Sequence, residues 1–176
     1  RAQNTQTETR LLKYHSMQSD STFVVTGGKK LSGTIVTNRS KNGAVALLAA
    51  SLLNHGTTTL KNVPRIEEVH RLLEVLASIG VTVSWKESTL TLTPPERISL
   101  ETIDSASAIK TRSILMFIGS LIHHFPSFTL PQSGGCTLGL RSIRQHLYAL
   151  ERFGVSIEVQ SDHYVISHTA LKPETV

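Results

Sequence analysis

The chain's one cysteine, Cys136, stands in the stretch Leu-Pro-Gln-Ser-Gly-Gly-Cys-Thr-Leu-Gly-Leu-Arg-Ser, residues 130–142. Gly134, Gly135 and Gly139 let the backbone around it turn tightly and bring amide groups against a ligand. Arg141 and Arg144 follow where the next helix is expected to start, and the amides of a helix start carry partial positive charge. Such surroundings suit an anion. They also lower a thiol pKa, which fits Cys136 to act as a thiolate or as an acid of useful strength. The plain alternative is a lone cysteine behaving as a small buried hydrophobe.

Two other basic positions open helices. Lys41 and Asn42 begin one predicted helix, and Arg112, with Lys110 just before it, begins another. A lysine at a helix start opposes the macrodipole, so it costs stability unless it serves a phosphate or a carboxylate. Lys41, Arg112 and Arg141 together would make one cationic floor beside Cys136; at each, a solvated surface charge is the bland alternative. No metal site is expected. His123 and His124 are adjacent and would point about 100° apart on a helix, and a single Cys with no His-x-x-x-His does not make a ligand set. Thr-Gly-Gly-Lys-Lys lacks the phosphate-loop spacing, and no cofactor is expected.

These residues sit in a chain of 176, 39% hydrophobic and 18% charged, long enough to bury a core. A net charge of +5 and a pI near 9.6 suit an anionic ligand. The lysines and arginines are scattered, so nucleic acid is not an expected partner. The longest apolar runs are about half of what a bilayer crossing needs, so no membrane is expected and the cytoplasm is the expected compartment. One cysteine forms no internal disulfide. Residues 1–21 are polar and aperiodic and read as a disordered lead-in.

The elements that must position the candidate residues occur twice. Residues 49–60 lie over 118–130, pairing Ser51 with Ser120 and Leu60 with Leu130. Residues 70–83 lie over 144–157, pairing Leu73 with Leu147, Leu76 with Leu150 and Gly80 with Gly154, and residues 89–93 lie over 163–167. Each copy reads as helix, strand, helix and hairpin. In the first, Ile66, Val69, Leu72, Leu73, Leu76 and Ile79 recur at helical spacing before a Gly80 C-cap, and two alternating strands follow. One unit cannot cover both of its apolar faces, so the expected fold is α+β, with βαβαββ-like repeats packing helix against helix and sheets outside. Residues 22–105 hold the first strand segment and repeat one; residues 106–176 hold repeat two. Leu60 to Ile66 is six steps and Leu130 to Leu140 is ten, so repeat two carries four additional residues, all within the Gly-Gly-Cys loop. A repeat that needed only to fold would not require them.

Phe23–Leu53, Asn62–Pro64, Lys110–Leu121 and above all Gly-Gly-Cys-Thr-Leu-Gly-Leu-Arg-Ser-Ile-Arg-Gln-His resemble the first part of the UDP-N-acetylglucosamine 1-carboxyvinyltransferase family of enolpyruvyl transferases. The resemblance runs from about Phe23 to Val165. It implies the inside-out α/β fold of repeated βαβαββ units, helices buried between sheets, and two similar domains with the substrates between them. It implies transfer of the enolpyruvyl group of phosphoenolpyruvate to the 3-hydroxyl of UDP-N-acetylglucosamine, a step of peptidoglycan synthesis. Lys41 and Asn42 would bind phosphoenolpyruvate, Arg112 would contact the substrates, and Arg141 would hold phosphoenolpyruvate. Cys136 would be the general acid that protonates the enol methylene, and the epoxide fosfomycin would alkylate it. Arg141, Ser142, Ile143, Arg144 and Gln145 would lie against the uridine nucleotide.

Three departures accompany the resemblance. Arg141-Ser142-Ile143-Arg144 stands where the family reads Arg-Pro-x-Asp, and Met116 stands where an aromatic residue is common. The chain ends at Val176, where the family would begin a third repeat and then a second domain carrying the catalytic base. The expectation is therefore an N-terminal part, inactive alone, whose partner is the remaining half of the enzyme. A catalytically inactive binding or assembly module contacting a protein or an anionic polymer is the alternative. The shikimate-pathway sister enzyme shares the repeats but lacks a Gly-Gly-Cys loop.

Overall fold

The computed structural model describes residues 10–13, 22–37, 39–132 and 143–175. Cys136, Arg141 and Ser142 lie outside these. The chain divides into two compact units, Arg1–Thr37 and Asn38–Val176. In the first, β1 (Arg10–Lys13) pairs antiparallel with β2 (Thr22–Val25), Arg10 opposite Val25 and Lys13 opposite Thr22. Four members of residues 1–21 thus lie in a strand. A polar composition says little about a backbone that finds a partner strand.

In the second unit α1 (Lys41–Ala50) starts where the Ser40 hydroxyl accepts the Gly43 amide at 3.1 Å. A 3-10 turn, Ser51–Leu53, tightens its end, and β3 (Thr58–Lys61) follows. Asn62, left-handed at φ 58°, swings the chain through Val63 and Pro64 into α2 (Glu67–Ser78). Gly80, at φ +102°, closes α2, and β4 (Thr82–Lys86) and β5 (Thr89–Thr93) form a hairpin. The second copy runs α3 (Ser105–Ala108), a 3-10 helix Arg112–Phe117, α4 (Ile118–Leu121), β6 (Ser127–Pro131), α5 (Arg144–Arg152), β7 (Val155–Val159) and β8 (His163–His168). The counterpart of α1 is thus wound more tightly than the expected α-helix. Its winding starts at Thr111, whose hydroxyl takes the Ser113 amide at 3.2 Å.

The two antiparallel sheets share one topology, β3-β5-β4 and β6-β8-β7. Their registers agree residue for residue with the internal repeat. Leu60 faces Leu90 as Leu130 faces Tyr164, and Trp85 faces Leu90 as Val159 faces Tyr164. Between them α1 packs on α2, on the 112–117 helix and on α4, in a single core that includes Leu48, Leu52, Leu72, Leu76, Ile114, Phe117, Ile118 and Leu121. Each such side chain contributes about 1.5–3 kcal/mol on burial.

Polar bonds also cross between the copies. Ser120 donates its hydroxyl to the Ala49 carbonyl at 2.6 Å, and His124 Nε2 lies 2.7 Å from the Leu52 carbonyl. Both satisfy carbonyls at the end of α1 and its 3-10 turn, where helices leave them without internal partners.

The copies differ in packing. α2 buries Val69, Leu72, Leu73, Val75 and Leu76, whereas α5 has no fully buried residue; Leu147 and Leu150 are only half-buried. α1 likewise exposes Leu47 (54%), and the 3-10 turn after it exposes Leu53 (47%).

Gly154, at φ +89°, is required by a close approach: a Cβ there would meet the Ala170 carbonyl oxygen at 2.8 Å. Gly154→Ala should therefore lower stability by about 2 kcal/mol. Gly119→Ala, on α4 with nothing within 4 Å of an added Cβ, should be neutral or add about 0.5 kcal/mol. Urea titrations followed by fluorescence of the single tryptophan, Trp85, would separate the two variants.

Candidate anion-binding site

Lys41 is the first residue of α1 and half-exposed, at 52% of its side-chain area. Its ammonium pairs with the carboxylate of Glu68, in the first turn of α2. That pairing supplies the partner that a lysine at a helix start lacks. Glu68 Oε2 receives Lys41, while Oε1 accepts the Ser113 hydroxyl and, at 3.3 Å, the Thr111 hydroxyl. Arg112 lies between those two hydroxyl residues and is half-buried. One carboxylate thus joins the start of α1 to the segment that carries Arg112.

Glu68 is 22% exposed and is held on a rigid support, because its neighbour Val69 and Leu72 one turn on are fully buried. Burial pushes its pKa up. The hydrogen bonds from Lys41 and Ser113, the charge of Lys41 and the bond from Thr111 outweigh that effect and leave it below the ordinary carboxylate value. Farther along α2, Arg71 binds Glu67 at 2.7 Å and Glu74 at 2.6 Å, and Glu74 accepts the Ser107 hydroxyl at 2.5 Å. Those charges fasten α2 to α3 and are spoken for.

The other predicted residues fall as follows. Asn42 is exposed at the second position of α1. Ile143 is half-buried, packs against the core and precedes α5, whose first residues Arg144 and Gln145 are exposed. Cys136, Arg141 and Ser142 lie outside the described residues, as do residues 133–140 of the stretch that holds the four additional positions.

Sequence reasoning missed Glu68. Two glutamates in a first helical turn read as ordinary macrodipole partners, and only the fold reveals that one of them faces Lys41. A cleft of about 450 Å³ opens nearby between α1 and β3, lined by Arg39, Ser40, Gly43, Leu47, Lys61 and Asn62 among others. Lys41 and Arg112 do not line it. Among the described residues no group of three or more His, Cys, Asp or Glu could hold a metal, and no helix is long and apolar enough to cross a membrane.

Residues 25–171 match the family described as EPSP synthase (3-phosphoshikimate 1-carboxyvinyltransferase), and the chain belongs to this enolpyruvyl transferase family.

Within it, the chain is 35% identical over 146 residues to a UDP-N-acetylglucosamine 1-carboxyvinyltransferase of Acinetobacter guillouiae, covering 80% of this chain and 33% of that protein. It is 36% identical over 144 residues to the protein of that name in Solibacter usitatus, covering 81% and 34%. The chain spans about a third of the length of these curated relatives.

Two solved structures share the fold. NikO, an enolpyruvyl transferase from Streptomyces tendae, superposes with a TM-score of 0.63 at 20% identity, over 84% of this chain and 32% of that one. EPSP synthase from Acinetobacter baumannii gives 0.55 at 15%, over 80% and 33%.

A lowered Glu68 pKa makes its contribution to stability present above the ordinary value of 4.5 and lost as pH falls through the lowered one. Denaturant midpoints measured across that range should show the parent chain more stable than Glu68→Gln above pH 4.5. The difference should shrink as the solution is made more acid, and a constant difference would contradict the assignment.

Proposed function

We propose that this chain is the N-terminal part of an enolpyruvyl transferase that moves the enolpyruvyl group of phosphoenolpyruvate to the 3-hydroxyl of UDP-N-acetylglucosamine in the cytoplasm, in peptidoglycan synthesis. The observation that carries the reading is the Glu68 node, which gathers Lys41 and the Arg112 segment at one place. The names of the curated relatives support the choice of sugar nucleotide.

In this reading Lys41 and Asn42 bind phosphoenolpyruvate, with Arg112 and Arg141 on its charged groups. The base carried by the rest of the enzyme takes the proton of the sugar hydroxyl as its oxygen bonds to C2 of phosphoenolpyruvate, while the Cys136 thiol delivers its proton to the C3 methylene. The Cys136 thiolate then takes back a proton from C3 as the C2–O bond to phosphate breaks, and the enolpyruvyl ether and inorganic phosphate result. Arg141, Ser142, Ile143, Arg144 and Gln145 line the nucleotide. Cationic groups placed where negative charge gathers stabilise such a step more in a protein than in water.

The proposed division is residues 22–105 and 106–176 as two repeats, completed by a further part of the enzyme that supplies the base. The exposed Leu47 of α1, the exposed Leu53 of the 3-10 turn after it and the half-buried side of α5 support that completion, since apolar faces of this kind call for a cover. The exposed Arg144 and the +5 charge favour, as a second reading, a catalytically inactive module that binds a protein or an anionic polymer.

Fosfomycin should alkylate Cys136 in this chain faster than it alkylates glutathione near neutral pH, as mass spectrometry reads directly. Labelling no faster than glutathione would overturn the role of the thiol. Lys41→Met should weaken phosphoenolpyruvate binding about tenfold or more, the range of one charge-assisted hydrogen bond, in isothermal titration. The chain alone should turn over no substrate; an ordinary enzymatic rate would show that no further part is needed.

A further inference from the structure

The Glu68 carboxylate has a division of labour between its two oxygens. Oε2 faces only Lys41 among the bonds described, and Oε1 faces only Ser113 and Thr111. The Thr111 side chain is at the same time the acceptor for the Ser113 amide, at 3.2 Å, the bond that starts the 3-10 helix around Arg112. Thr111 is 3% exposed, so its hydroxyl has little water to turn to. A shift of charge or position at Oε2 therefore reaches Oε1, then Thr111, then the turn that aims Arg112. Hydrogen bonds in such a chain polarise one another by about 10–30% per bond.

The node is also asymmetric in stiffness. Glu68 stands on a helix anchored by fully buried Val69 and Leu72, whereas Lys41 extends on a flexible four-carbon stem and is half-exposed. An anion arriving at the ammonium competes with Glu68 Oε2 for it. The lysine moves, and the carboxylate stays and redistributes its bonds toward Ser113 and Thr111.

We propose that Glu68 is a positioning residue that transmits occupation of Lys41 by an anion to the helix start carrying Arg112, so that the two basic groups respond together. The proposal rests on the reading of Lys41 and Arg112 as one anion site, and it adds the carboxylate that couples them.

The test uses backbone amide shifts of the 176-residue chain, with two arms. In the first, inorganic phosphate is titrated into the parent and into Glu68→Gln. The amides of Lys41 and Ser113 should move with the same Kd in the parent. In E68Q the displacement at Ser113 should fall at least threefold while that at Lys41 persists. An undiminished Ser113 response in E68Q overturns the proposal.

The second arm needs no ligand. Lys41→Met should displace the Thr111 and Ser113 amides in the parent, and by no more than a third as much in the E68Q background. Equal displacement in both backgrounds overturns the coupling. Should phosphate move no amide in the parent, the anion reading fails, and the second arm still decides on Glu68. Should E68Q lose native shift dispersion, Ser113→Ala takes its place, because it leaves the Lys41–Glu68 pair intact. The same threefold loss is then expected at Arg112, and an unchanged response overturns the proposal.

Discussion

The rest of the second unit depends on one burial: the apolar sides of α1 and of the 112–121 helical segment meet each other. Neither three-stranded sheet could cover its own helix on both sides. Leu48 and Leu52 from one copy therefore share a core with Ile114, Phe117, Ile118 and Leu121 from the other. Because those helices are pinned at their middles, their starts are held as well. Lys41 and Arg112 occupy those starts, so the arrangement that buries the leucines is also what presents the charges.

Among the described residues, basic groups are not all that gathers at these helix starts. A carboxylate stands among them, and its placement follows from α2 packing on both α1 and the 112–117 helix. An ammonium left alone at a helix start would repel the partial positive charge of the amides. Glu68 offsets that cost and, in doing so, ties the geometry of two separate helix starts to a single side chain. The same overlay that pairs Leu73 with Leu147 puts Ser142 where Glu68 stands in repeat one and Arg141 where Glu67 stands. The acids of one copy are thus replaced by a base and a hydroxyl in the other.

Much of this fold was legible in the residues. The period of Val69, Leu72, Leu73, Leu76 and Ile79, the glycines at 80 and 154, and the alternation in the hairpins each express a local rule, and the strand registers follow the repeat residue by residue. What escaped was non-local. The strand at Arg10–Lys13 exists through a partner nine or more residues away. The 3-10 winding of Arg112–Phe117, in the segment the repeat matches to the α-helix α1, is not signalled by any local pattern. Glu68 looked like a surface glutamate because its partners come from residues 27 to 45 positions distant. At the candidate site the types of residue were readable, and so were Lys41, Asn42 and Arg112 as helix starts. The counter-charge that organises them was not, since no sequence spacing encodes a contact between three elements.

Among the described residues, the hydroxyl and imidazole bonds that cross from one copy to the other run in one direction. Ser120 and His124 reach from the second copy to the Ala49 and Leu52 carbonyls of the first, while the equivalent Ser51 turns back to Leu48 in its own helix. Two identical units related by a twofold axis would make such bonds twice or not at all. In this chain the joint has a donor half and an acceptor half, so the units have lost interchangeability. A duplicate of either one, offered in place of its sibling, would present like to like across the joint.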